Sequence, residues 1–97
     1  MNHLDNDIQK LIEFFSDKPV LKAYLFGSWV RGQGSDESDI DILVELDYSY
    51  PVGLEFIEMQ IELEEILGKK VDLVSANGLS KYIKPIVDKE KMLIYAR

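Results

Sequence analysis

The sequence predicts a small α/β (α+β) domain of two layers, a mixed sheet with helices packed on one face and an acidic site on the other. Three observations lead there. Short apolar runs of strand character recur at residues 20–26, 39–46, 69–74 and 92–95. Between them, residues 6–17, 54–67 and 79–88 carry apolar side chains at helical spacing. The run 39–46 opens with Asp39 and Asp41, two positions apart, so one strand face starts acidic while Ile40, Ile42 and Val44 make the other apolar.

Composition narrows the class. A chain of 97 residues has room for one modest core, so residues 1–97 are expected to be one domain, and 46% hydrophobic with 30% charged residues is the balance of a folded globular protein. The absence of cysteine excludes disulfides, thiol catalysis and thiolate metal sites. A net charge of -7 argues against direct nucleic-acid binding, which relies on basic surface. No apolar run approaches the roughly 20 residues of a membrane span and no signal-peptide core is present, so the cytoplasm is the expected address. The single histidine, His3, is poorly placed for acid–base work.

Taken in order, the first helix buries Ile8, Leu11, Ile12, Phe14 and Phe15, with Asn6 as a cap and Pro19 as a stop. The strand 20–26 leads into Gly27-Ser28, a tight turn expected to start a short helix over 28–31 that Gly32 and Gly34 end. Trp29 reads as partial core or a rim contact. Residues 33–38 are a polar loop in which Asp36 and Glu37 are solvated and Ser38 steadies Asp39. After the strand 39–46, a loop over 47–53 carries Tyr48, Tyr50 and Pro51, which either border the site and stack on a base or touch a partner, or are loop filler.

The helix 54–67 ends at Gly68. Leu54, Ile57 and Ile61 form one stripe, and Phe56, Leu63, Ile66 and Leu67 a neighbouring one, with Met59 between; so wide an arc is either well buried or part of a contact with another chain. The strand 69–74 turns Val71 and Leu73 to the core and Asp72 to the acidic face. Asn77-Gly78 is a turn, Pro85 limits or kinks the helix 79–88, and 92–95 closes the sheet.

The chemistry concentrates in residues 26–45, FGSWVRGQGSDESDIDILVE. A Gly-Ser corner after a strand presents free backbone N–H groups, the usual way to hold a phosphate. Two carboxylates on one strand face offer the hard oxygen ligands that Mg²⁺ takes alongside water and substrate phosphates. Arg31 suits a phosphate or a neighbouring carboxylate equally, since its forked guanidinium fits both.

This arrangement, Gly27-Ser28, ten residues, then Asp39-Ile40-Asp41, resembles the signature of the DNA polymerase beta nucleotidyltransferase superfamily, and in particular its minimal nucleotidyltransferases. The resemblance implies a third carboxylate from a later strand, for which Asp72 is the candidate. It implies that Asp39, Asp41 and Asp72 are catalytic and hold two Mg²⁺ ions, and that Gly27, Ser28 and Arg31 bind the phosphates of a nucleoside triphosphate, ATP. It further implies an antitoxin that transfers AMP to a tyrosine hydroxyl of a helical HEPN-type toxin. Residues 1–97 hold no counterpart of the extra helical domain with which larger members grip base and acceptor, so the resemblance implies that those walls are expected from a second copy or another protein, as a homodimer or hetero-oligomer. Two alternatives stay open: a non-catalytic module that neutralises a toxin by covering it, and one subunit of a transferase acting on a small hydroxyl compound of aminoglycoside type.

Overall fold

The computed structural model describes residues 3–34 and 38–97, with side chains from Asn6 onward. The expectations placed on the side chains of His3, Asp36 and Glu37 lie outside the described residues. Four strands, β1 (Val20–Phe26), β2 (Ile40–Leu46), β3 (Val71–Ser75) and β4 (Met92–Ala96), form a sheet in the order β3-β2-β1-β4. The central strand β1 runs antiparallel to both β2 and β4, whereas β2 and β3 are parallel. A parallel neighbour needs a crossover, and the helix α2 (Gly53–Leu67) supplies it.

Strand alternation sorts the side chains as the sequence implies. Ala23 and Leu25 of β1, Ile40, Ile42 and Val44 of β2, and Val71 and Leu73 of β3 form one buried face. On it pack Leu11, Phe14 and Phe15 of the helix α1 (His3–Phe15) and Met59, Leu63 and Leu67 of α2. The i, i+4, i+8 row Met59–Leu63–Leu67 is the stripe of α2 that the core takes. Leu54, Ile57 and Ile61 instead stand 76%, 58% and 54% exposed, which leaves an apolar ridge on the outside of the helix.

The opposite face carries a smaller cluster of Tyr24, Leu43 and Val87, with Phe26, Val74 and Leu79 against it. Val87 belongs to α3 (Lys84–Glu90), so this short helix lies on the same side of the sheet as the acidic row and covers part of it. It begins later than the expected 79–88, because Pro85 sits in the first turn, where its fixed φ and missing N–H cost nothing, and starts the helix rather than limiting it.

Two ties, one long-range and one local, set the start of β3. The Asp7 carboxylate of α1 pairs with Lys69 Nζ at 3.0 Å, both side chains largely buried, and Lys69 Nζ in turn lies 5.6 Å from the centre of the Trp29 ring. The Glu64 carboxylate of α2 accepts the Val71 N–H at 3.0 Å. Together they fix the start of β3 against α1, α2 and the turn that follows β1. Among the described residues no helix is long and apolar enough to cross a membrane.

Candidate active site

Gly27 ends β1 with φ of 82°, in the left-handed region that L side chains rarely adopt, and a Cβ there would collide with the Asp41 carboxylate. The chain then folds back on itself: Val30 and Arg31 donate their N–H groups to the Gly27 carbonyl at 3.1 and 3.2 Å, and Gln33 to that of Ser28 at 2.8 Å. The expected helix over 28–31 is thus one irregular turn, cut short where Gly32 takes φ of 77°. Gly34 packs against the face of Trp29, whose indole is partly buried and sits by the core rather than offering a stacking platform. Among the described residues the N–H groups of Ser28 and Trp29 have no protein acceptor, which is the state a phosphate would satisfy.

Across from this corner the acidic row is built by register. Phe26 is opposite Asp41, and Asp41 is opposite Asp72 in the parallel pairing of β2 and β3. Neighbouring strands lie roughly 4.8 Å apart, and residues in register on parallel strands share a face. Asp39 precedes β2 by one residue and is exposed, as is Asp72, while Asp41 is half-buried.

The electrostatics follow. Asp41 is pushed up from 3.8 to about 6, first by burial, then by the charges of Asp72 and Asp39, against a lowering by Arg31. A carboxylate destabilised by two like neighbours is the donor set that a divalent cation relieves, so the three aspartates fit one chemically. Among the described residues no three carboxylate or imidazole groups are yet drawn close enough to enclose a metal ion. Asp39 and Asp72 are both exposed, so core packing locks neither side chain.

Arg31 pairs with a neighbouring carboxylate. Its Nη1 donates to both oxygens of Glu90, at 3.0 and 2.9 Å, and its Nε to Gln33 Oε1 at 3.4 Å. Glu90 Oε2 also accepts the Gly27 N–H at 3.1 Å. Glu90 is the site residue that sequence reasoning missed. The signal that finds it is the pairing of β4 with β1: Leu25 is opposite Met92, and counting on by two in each strand sets Glu90 beside Gly27.

Other expectations do not converge here. Of the two readings of the loop carrying Tyr48, Tyr50 and Pro51, its position favours loop filler, since it leaves β2 at the end remote from Asp41. There Asp47 donates its N–H to the Pro19 carbonyl and its carboxylate takes Arg97. A recess of about 440 Å³ between Lys18, Pro19, Tyr50 and Arg97 lies at that same far end and contains none of the acidic row. Lys84 is tied to Asp88, and Lys81 lies over the Tyr82 ring.

Residues 9–97 match the polymerase beta nucleotidyltransferase family. A Methanocaldococcus jannaschii chain named as a candidate protein adenylyltransferase is 38% identical over 98% of this chain and 96% of its own length. The protein adenylyltransferase MntA of Thermococcus cleftensis is 41% identical over 72% of this chain and 70% of its own. A crystal structure of a toxin–antitoxin with AMP-PNP aligns at a TM-score of 0.79 and 26% identity, covering 93% of this chain and 73% of that one. With the signature placed at one end of the two inner strands and nearly the whole chain matched, the protein belongs to the polymerase beta nucleotidyltransferase family.

Proposed function

We propose that this nucleotidyltransferase is a Mg²⁺-dependent protein adenylyltransferase that moves AMP from ATP to a tyrosine hydroxyl of a helical, HEPN-type toxin and so acts as its antitoxin. The observation that carries the reading is the register of Asp41 with Asp72 beside the Gly27-Ser28 corner. Support for the acceptor class comes from the similarity to MntA and to the toxin–antitoxin bound to an ATP analogue.

The roles divide by position. The N–H groups of Ser28 and Trp29, the Ser28 hydroxyl and the free edge of Arg31 hold the β- and γ-phosphates and steer pyrophosphate out. Asp39 and Asp41 with Asp72 would hold two Mg²⁺ ions, and Mg²⁺ when bound supplies charge neutralisation at the transferring phosphoryl group. Asp72, the most accessible carboxylate of the paired strands, orients the incoming hydroxyl and takes its proton. The hydroxyl oxygen bonds to the α-phosphorus as the bond from that phosphorus to the bridging oxygen breaks, releasing pyrophosphate. The acidic row is open to solvent at Asp39 and Asp72, which suits an acceptor presented by another protein.

The test is to incubate the chain with Mg²⁺, α-labelled ATP and the helical protein encoded beside it, then map the modified residue by mass spectrometry. Label on a tyrosine of the partner is expected; no label on any protein refutes the proposal. The exposed ridge of Leu54, Ile57 and Ile61 favours a second reading, neutralisation by contact alone. In that case Asp39→Ala with Asp41→Ala leaves neutralisation intact.

A further inference from the structure

We infer that Glu90 is a positioning residue of the nucleotide site: from the end of α3 it holds the Arg31 guanidinium and the Gly27 N–H in the posture that receives the phosphates of a nucleoside triphosphate. The inference rests on the transferase reading above. It names a residue outside the signature and 63 positions along the chain from the glycine it touches.

The geometry is specific about which donors Glu90 takes. Both its oxygens accept from one guanidinium nitrogen, Nη1, at 3.0 and 2.9 Å, and one of them also accepts the Gly27 N–H at 3.1 Å. The Nη2 group of Arg31 has no protein acceptor among the described residues, and neither do the Ser28 and Trp29 N–H groups. A carboxylate standing in for a phosphate would occupy those open donors. Glu90 instead takes Nη1, and Gln33 takes Nε, which leaves the Nη2 donors for a phosphate oxygen.

The anchoring is one-sided. The Glu90 side chain is 18% exposed, against 50% for Arg31, so the glutamate is the fixed member of the pair. Its place is set by the buried Val87 of the same helix and by the hydrogen bond from Lys91 N–H to the Val87 carbonyl, just before β4 enters the sheet. An arginine held this way gives up its rotamer freedom before nucleotide arrives, so less is lost on binding. The peptide entering Gly27 is oriented by the same carboxylate.

The experiment is a double-mutant cycle on the full chain, with Glu90→Gln, Arg31→Gln and the double variant. The dissociation constant for ATP is measured by calorimetric titration beside a thermal melt of each protein. If Glu90 works through Arg31, each single variant binds ATP about tenfold more weakly and the double variant is no weaker than Arg31→Gln alone, because charge-assisted hydrogen bonds contribute on that scale. Glu90→Asp, which keeps the charge but retracts it by one methylene, is expected to lose affinity with its melting temperature held, and it serves if the glutamine variant does not fold. Unchanged or tighter ATP binding by Glu90→Gln overturns the assignment, the tighter case marking Glu90 as an internal competitor. Losses that multiply in the double variant overturn it too. A wild-type chain that binds no ATP removes the transferase reading itself, a result distinct from either.

Discussion

Asp41 and Asp72, 31 positions apart in the sequence, face one another across the parallel pair of β2 and β3, with Gly27 beside Asp41 at the end of β1. The pairing is made by α2, which returns the chain to lie parallel to β2. Burial first, and then the charges of Asp72 and Asp39, raise the Asp41 carboxyl from 3.8 to about 6.

That shift has a sign in stability. Because the folded pKa stands above the ordinary 3.8, the native state binds this proton more tightly than the unfolded chain, so the group favours folding below about pH 4 and loses that contribution as the pH rises through 6. Asp41→Asn is therefore expected to stabilise the metal-free protein at pH 7.5 by about 1–2 kcal/mol and to have little effect at pH 4, read from urea melts at both pH values. Equal effects at the two pH values would contradict the assignment. For the same reason, added Mg²⁺ is expected to raise the melting temperature of the wild type more at pH 7.5 than at pH 5.5, since it competes with the proton.

Gly27 carries two constraints at once, and they can be separated. Gly27→Ala places a methyl group on the Asp41 carboxylate at a positive φ, whereas Gly68→Ala meets only the positive φ, because nothing lies near its Cβ. The expected costs are about 1 kcal/mol for Gly68→Ala and at least about 2 kcal/mol for Gly27→Ala, by chemical denaturation. Equal costs would mean that the glycine is needed for its backbone alone.

The Asp7–Lys69 pair is a buried tie between α1 and the start of β3. Asp7→Ala leaves the lysine charge without its partner beside Trp29, and a loss of about 3 kcal/mol is expected in equilibrium unfolding. A loss under about 0.5 kcal/mol would place the tie with exposed pairs, whose contribution is small.

The ridge on α2 gives a prediction about partners. Ile57→Glu with Ile61→Glu changes side chains that are 58% and 54% exposed, so the fold is expected to survive with stability altered by less than about 1 kcal/mol. On the proposed reading, binding to a HEPN-type toxin is expected to fall at least tenfold in a titration, as truncating the centre of an interface does. Retained affinity would move the docking surface elsewhere.

Much of this was legible in the sequence, and the reasons are local. Period-2 alternation in 39–46 assigns Ile40, Ile42 and Val44 to the core and Asp41 to the other face whatever the partner strands are. The Gly-Ser corner and its spacing to the aspartates survive into the structure because one turn and one strand carry them. What was hidden depends on pairing. Glu90 meets Arg31 only because β4 lies against β1 in a given register, and no periodicity in Lys89-Glu90-Lys91 signals that. The arc of α2 showed two apolar stripes, but which one is buried is decided by the angle at which the helix crosses the sheet. The aromatic loop at 47–53 could be read as a border of the site or as filler, and its place at the far end of β2 follows from the length of the strand before it.

The most direct test of the central claim is the single-turnover rate of AMP transfer to the partner by Asp72→Asn, measured at saturating ATP and Mg²⁺ against the wild type. Asp72 is exposed, so the variant is expected to fold normally and to transfer at least about a hundredfold more slowly. Transfer at the wild-type rate would contradict the account, since the strand pairing that brings Asp72 beside Asp41 would then have no part in the chemistry.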